Sequence, residues 1–219
     1  MKNVLITGGS RGIGASTALK CARLGYRVIL TWPRQSEAAT RVVERIEAEG
    51  GEAIALQLDV GNTDSFKHFR AELEQVMHAR WEDGGLDGLV NNAGYGLFNP
   101  IETVTEKQFD SLMNVHLKGP FFLTQTLLPL LRRDACIVNI TSATTRVATA
   151  GVAPYAAFKG GLEVLTRYMA KEFGERGIRV KAFSPGAIRT ELGGGLNEEF
   201  ENLLASQTAL GRVGEAEDV

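Results

Sequence analysis

Short apolar runs alternate along the chain with longer stretches in which apolar residues recur every three to four positions. The first pattern reads as buried strand and the second as one-sided helix. Val4-Leu5-Ile6 predicts a strand, followed by glycines and a helix running through Arg23. Arg27-Val28-Ile29-Leu30-Thr31 predicts a second strand. Over residues 36–49, Ala39, Val42, Val43 and Ile46 share a helix face, and residues 53–58 predict a third strand. A third helix is predicted over 63–80, with Asn62 or Thr63 as its cap. Residues 86–90 predict a fourth strand, a long helix spans about 106–131, and 136–140 predict a fifth strand. A helix opening near Pro154 ends before Gly177, with Leu162, Leu165, Met169 and Phe173 inward, and 178–183 predict a sixth strand. Strands apolar throughout, each followed by a helix, argue for a parallel sheet covered on both faces. The predicted class is α/β, in three layers.

Composition narrows this only a little. The chain has 219 residues, 44% hydrophobic and 23% charged, with no break that marks a second domain. One domain over 1–219 is expected, and disordered, collagenous and coiled-coil classes are excluded. The net charge is −2 with no basic run, so neither nucleic acid nor an anionic membrane is an expected partner. Cys21 and Cys136 sit in apolar contexts without a CxxC pattern, which leaves free thiols in a reducing compartment or a disulfide. MKNVLITGG lacks the apolar core of a secretion signal, and no apolar run approaches the ~20 residues of a membrane span. A cytoplasmic protein is expected. His68, His78 and His116 form no metal-ligand spacing with each other or with the cysteines.

The 25 glycines need an explanation. The first strand runs into Thr7-Gly8-Gly9-Ser10-Arg11-Gly12-Ile13-Gly14 and then a helix. Between strand and helix, glycines let the backbone turn tightly and approach a pyrophosphate at the helix N-terminus. A plain structural turn is the other reading of the same text. The spacing G-x-x-x-G-x-G differs from G-x-G-x-x-G.

Five further features follow in order: Asp59-Val60, Asn91-Asn92-Ala93-Gly94, Ser142, Tyr155-x-x-x-Lys159 and Pro185-Gly186. With TGGSRGIG at 7–14, this set resembles the short-chain dehydrogenase/reductase family over nearly the whole chain. Its texture is most similar to the branch of 3-oxoacyl-carrier-protein reductases. The resemblance implies a Rossmann-type doubly wound sheet of strand order 3-2-1-4-5-6. It implies cofactor contacts at Thr7, Gly8, Ser10, Arg11, Gly12, Ile13 and Gly14. It also implies contacts at Asp59 and Val60 for an adenine ring, and at Asn91, Ala93 and Gly94 for the adenine-side ribose and the central sheet. Pro185, Gly186, Ile188 and Thr190 match the loop that orients a nicotinamide.

An acidic residue closing the second strand would hold both ribose hydroxyls and reject a 2′-phosphate. This chain has Thr31-Trp32-Pro33-Arg34 there and Arg11 inside the glycine loop. Arg gives paired, charge-assisted bonds to phosphate, and the resemblance implies NADP(H). The alternative is that both arginines are solvated.

Tyr155 and Lys159 are four residues apart at a helix start, hence on one face. A free phenol has a pKa of about 10, and a neighbouring ammonium is expected to lower it. Tyr155 then serves as general acid or base toward a carbonyl or alcohol. Ser142 would hold the substrate oxygen, and strand alternation should turn Thr141 the other way. Lys159 matches the residue that anchors the nicotinamide ribose. Where the family often has Asn, alignment on Leu117-Lys118-Gly119 places His116. With an ordinary pKa of about 6.5 it could titrate and carry a proton relay, or it could be a hydrogen-bonded helix residue. Phe158 departs from the Ser of many relatives and is expected to adjust packing or a subunit contact.

Loops 95–101, 143–152 and 187–200 should line the substrate cleft, offering Tyr95, Phe98, Val147, Leu192 and Leu196, with Arg146 and Arg189 as polar handles. Loop packing is the competing role for the apolar ones. Residues 191–200 are expected to form a lid. The expected function is NADP(H)-dependent interconversion of a small-molecule carbonyl and a secondary alcohol. The substrate is a 3-oxoacyl thioester or a small ketone, and a non-catalytic NADP-binding sensor is the alternative. The resemblance implies a homotetramer or homodimer built partly on the helices at 106–131 and 154–176. LGRVGEAEDV at the end reads as a helix entry that the family continues into a seventh strand, which implies a truncated C-terminal segment.

Overall fold

The computed structural model describes every residue except Gln35, Gly193, Gly194 and Leu196. Leu196, expected at the substrate cleft, therefore lies outside the described residues.

The six strands are β1 (Lys2–Ile6), β2 (Tyr26–Trp32), β3 (Ala53–Gln57), β4 (Leu86–Asn91), β5 (Leu131–Ile140) and β6 (Arg179–Phe183). All neighbours pair in parallel, in the order β3-β2-β1-β4-β5-β6. Successive side chains of a strand point to opposite faces, so each strand feeds two cores. Leu5, Ile29, Leu89 and Ile137 pack on one side, against α3 (Phe66–Trp81), α5 (Gly119–Leu127) and α6 (Ala153–Phe173). Val4, Ile6, Val28 and Leu30 pack on the other, against α1 (Gly12–Arg23) and α2 (Glu37–Ala48). This is the three-layer α/β fold that the alternation predicts, doubly wound as the family resemblance implies. The order in which strands are added reverses between β1 and β4, where such sheets open a crevice beyond the strand ends.

Three boundaries differ from the sequence reading. The helix expected over 106–131 is α4 (Glu106–Met113), a π-helical turn (Asn114–Lys118) and α5, and Leu131 already belongs to β5. Gly119 N–H bonds back to Asn114 O, one residue farther than in an α-helix, and Pro120, with no N–H, leaves the next rung to His116 O unmade. Gly119 is needed there, because a Cβ would stand 2.3 Å from the carbonyl oxygen of Val60. Second, β5 opens irregularly, with a register shift against β4 and Asp134 at φ 66°. Third, a 3-10 turn at Thr63–Ser65 precedes α3, and neither Asn62 nor Thr63 caps it with a side chain.

Both cysteines are free thiols. Among the described residues no helix is long and apolar enough to cross a membrane, and no His, Cys, Asp and Glu group could hold a metal ion.

Candidate active site

The glycine loop turns because its residues permit it. Gly8 has φ 64°, and a Cβ on it would stand 2.8 Å from Ala93 Cα. A Cβ on Gly14 would stand 2.3 Å from the Gly8 carbonyl oxygen, so the first turn of α1 lies directly on the loop. Thr7 ties this loop to the next one: its hydroxyl accepts from the N–H groups of Asn92 and Ala93, both at 3.0 Å. Asn92 returns the contact, its Nδ2 donating to the carbonyls of Thr7 (2.9 Å) and Gly8 (3.2 Å).

Beyond the strand ends opens a cleft of about 1260 Å³, lined by Gly8, Ser10, Arg11, Arg34, Asp59, Val60, Ala93 and Gly94, with Tyr95 and Asn114 at its side. Residues predicted from distant parts of the chain are thus brought to one place. Gly12, Ile13 and Gly14 form the first turn of α1 beside it. Thr7 and Asn91 are placed differently. Thr7 is 2% exposed and holds the two loops together. Asn91 is buried, its Nδ2 bonded to Asn139 Oδ1 at 2.8 Å and Thr124 Oγ1 at 3.2 Å. Of the roles expected for Asn91, the structure displays the one in the central sheet.

Arg34 is exposed on the cleft, and no carboxylate closes β2. Arg11 also lines the cleft, and its guanidinium pairs with Glu191 at 3.0 Å. The 185–190 segment crosses the site: Ala143 N–H donates to Pro185 O at 2.9 Å, Ile188 bridges to Gly214, and Thr190 packs on Gly12.

Ser142 stands two residues past the end of β5, as the cap of a 3-10 turn, and Tyr155 and Lys159 stand on the first turns of α6, where Pro154 needs no N–H partner. Ser142 Oγ accepts from Thr144 N (3.2 Å) and Thr144 Oγ1 (2.9 Å), which leaves its own proton to donate. Thr141 points away, its hydroxyl 2.6 Å from Ser184 Oγ. Lys159 is 4% exposed and donates to Ile140 O at 2.7 Å. Burial lowers its pKa to about 8. The Tyr155 phenol is raised above its ordinary value by burial, and the Ser142 hydroxyl offsets part of this. That corrects the expectation that Lys159 lowers it: the Nζ lies 5.7 Å over the ring and is bonded to the backbone of β5.

His116 is 1% exposed and meets Tyr155 edge to face, with ring centroids 4.9 Å apart. It also packs on Gly94, where a Cβ would stand 2.8 Å from Cε1. Its Nε2 donates to Tyr95 O at 2.8 Å, which assigns the tautomer and makes Nδ1 an acceptor with no partner among the described residues. Burial and the charge of Lys159 push its pKa to about 3 against that bond. His116 does not titrate near neutrality, which overturns the titrating form of the relay.

Segments 95–101, 143–152 and 187–200 meet at Phe98, which is 62% exposed, touches Gly151 and stacks edge-on with Phe200 of α7 (Glu198–Ser206). Val147 and Leu192 are exposed nearby in sequence, while Tyr95 Oη donates to Ser111 Oγ at 2.7 Å. Arg189 is not a free handle, because Glu201 and Glu215 both pair with it. Arg146 is exposed. Phe158 is buried and packs edge-on against Phe109, so this departure tunes the α4–α6 contact. Two residues escaped the sequence reading. Asn92 had a signal, lying between Asn91 and Ala93. Glu163, one helical turn beyond Lys159 on the same face, accepts from Thr145 and Ser184.

Comparison with known proteins places this geometry. A family model described as enoyl-(acyl carrier protein) reductase matches residues 8–219. The chain is 36% identical over 220 residues to the 3-oxoacyl-[acyl-carrier-protein] reductase FabG of Staphylococcus aureus, covering all of this chain and 87% of that protein. Among solved structures it is similar to the reductase LugOII of lugdunomycin biosynthesis (TM-score 0.94, 37% identity, 100% and 87% of the two chains). It is equally similar in shape to the angucycline C-6 ketoreductase LanV with bound NADP (TM-score 0.94, 32% identity, 99% and 84%). Strand order, glycine loop, the Ser142–Tyr155–Lys159 group and these likenesses agree: the chain belongs to the short-chain dehydrogenase/reductase family of oxidoreductases.

Proposed function

We propose that the protein reduces a ketone to a secondary alcohol, reversibly, with NADPH, and that a 3-oxoacyl thioester or a comparable ketone is its substrate class. The observation that carries this reading is the meeting of Ser142, Tyr155 and Lys159 beside His116, which itself backs onto cleft residue Gly94. The cleft fits a dinucleotide: Gly8 admits close backbone approach, the first turn of α1 points N–H groups at it, and Arg11 and Arg34 offer cationic forks for a 2′-phosphate. When bound, NADPH supplies the hydride.

The chain's own residues do the rest. Ser142 donates its free proton to the substrate oxygen and holds the carbonyl in place. Tyr155 Oη delivers a proton to that oxygen as charge develops on it. Lys159, fixed by Ile140 O, keeps a cation within reach of the phenol's surroundings. His116 takes part as a neutral acceptor through Nδ1, toward a water or hydroxyl between it and Lys159. A sensor without turnover has no need of this group. Similarity to FabG, LugOII and LanV supports the ketone class.

The test is NADPH oxidation against a panel of 3-oxoacyl thioesters and aromatic and small ketones, comparing wild type with Tyr155→Phe. Turnover in the wild type that the variant loses supports the reading. Cofactor binding with no turnover across the panel supports the sensor instead. The family resemblance also motivates a dimer or tetramer using α4 to α6, which sedimentation would measure.

A further inference from the structure

Tyr155, Lys159 and Glu163 stand at i, i+4 and i+8 on α6, one stripe facing the ends of β5 and β6. Lys159 holds Ile140 O. Glu163 Oε1 accepts from Thr145 Oγ1 at 2.9 Å and Ser184 Oγ at 3.0 Å, with Thr141 Oγ1 farther off at 3.4 Å. The protons sort in one direction. Ser184 donates to Glu163, so its oxygen accepts from Thr141 at 2.6 Å. Two hydroxyls from two loops, Thr145 and Ser184, thus end on one carboxylate, and Thr141 joins them through Ser184, with the Arg146 guanidinium nearby. Thr141 and Thr145 bracket Ser142, and Ser184 precedes Pro185.

We propose that Glu163 is a positioning residue that locks the Ser142 loop and the Pro185–Gly186 loop to the helix bearing Tyr155, and so shapes the reacting end of the cofactor cleft. This rests on the functional reading above, in which the hydride-bearing half of the cofactor lies at Tyr155. The carboxylate is half-buried and touches none of the reacting groups. Its net pKa is low: burial raises it, and the hydroxyls of Thr145 and Ser184 outweigh that. It is therefore an acceptor at every working pH.

The experiment compares wild type, Glu163→Ala and Glu163→Gln in binding NADPH and adenosine 2′,5′-bisphosphate, which lacks the nicotinamide half, with kcat for the best ketone alongside. Loss of a charge-assisted clamp should weaken NADPH about tenfold in Glu163→Ala and lower kcat, while bisphosphate affinity stays unchanged. Glu163→Gln keeps an acceptor oxygen and should restore NADPH binding to within about threefold. NADPH affinity unchanged in Glu163→Ala, equal weakening of both ligands, or a Gln variant as weak as Ala would each overturn the proposal. A wild type that binds neither ligand would overturn the cofactor reading itself, and one that binds NADPH without reducing any ketone would overturn only the reaction.

Discussion

The His116 imidazole stands edge-on to the Tyr155 ring at 4.9 Å, pinned by its Nε2–H to Tyr95 O and held neutral by burial beside Lys159. Its Nδ1 can accept a hydrogen bond but cannot deliver a proton near neutrality. The turnover profile between pH 5 and 8 should therefore carry no limb belonging to His116, whose pKa is about 3. His116→Asn should change kcat by less than about tenfold and leave the limbs in place. Ketone reduction followed across that range decides it, and a limb near pH 6.5 that vanishes in the variant would contradict the assignment.

Tyr155→Phe removes only the proton donor. Turnover should fall by roughly 10²- to 10⁴-fold, with NADPH affinity nearly unchanged. Stopped-flow reduction together with cofactor fluorescence titration separates the two effects.

Lys159 links the site to stability. Folded, its pKa is about 8, against an ordinary 10.5, because burial disfavours the ammonium. Between those values the unfolded chain binds more protons, so this lysine's contribution to stability rises with pH across the window. The shift is worth on the order of 3 kcal/mol. Melting curves of wild type and Lys159→Met should diverge between pH 8 and 10.5, with wild type gaining several degrees relative to the variant.

Arg34 is exposed on the cleft with no competing carboxylate at the end of β2. Arg34→Ala should weaken NADPH by roughly three- to tenfold and leave NADH unaffected, a modest figure because solvent screens the side chain. Parallel KM measurements with both cofactors test this.

Gly119→Ala drives a Cβ to 2.3 Å from Val60 O, a backbone atom that cannot step aside. A loss of roughly 1–3 kcal/mol is expected by urea denaturation.

Much of this was legible beforehand because the signals were local. Buried parallel strands read as plain apolar runs, and Gly8, Ser142, Tyr155 and Lys159 announced themselves by type and spacing. What escaped was set by tertiary contact. Nothing near Thr7 in the chain says that its hydroxyl is taken by Asn92 and Ala93. Tyr155 is raised where its helix neighbour Lys159 suggested a lowering, and His116 leaves its ordinary range, because burial, which no local spacing reveals, is the largest influence on both. Arg189 looked free until Glu201 and Glu215 were brought beside it. The break in the helix over 106–131 had a visible cause in Gly119-Pro120, but helical periodicity continued across it.

That break reaches further than its own turn. The wide turn at Asn114–Lys118 inserts an extra residue into the ladder, and one residue is about 100° of helix rotation. The side-chain rows of α4 and α5 are offset by about that angle, and His116 sits inside the turn that offsets them, its ring against Tyr155 and Gly94. The reaction chamber thus takes its imidazole from the one stretch where the helix departs from its own count.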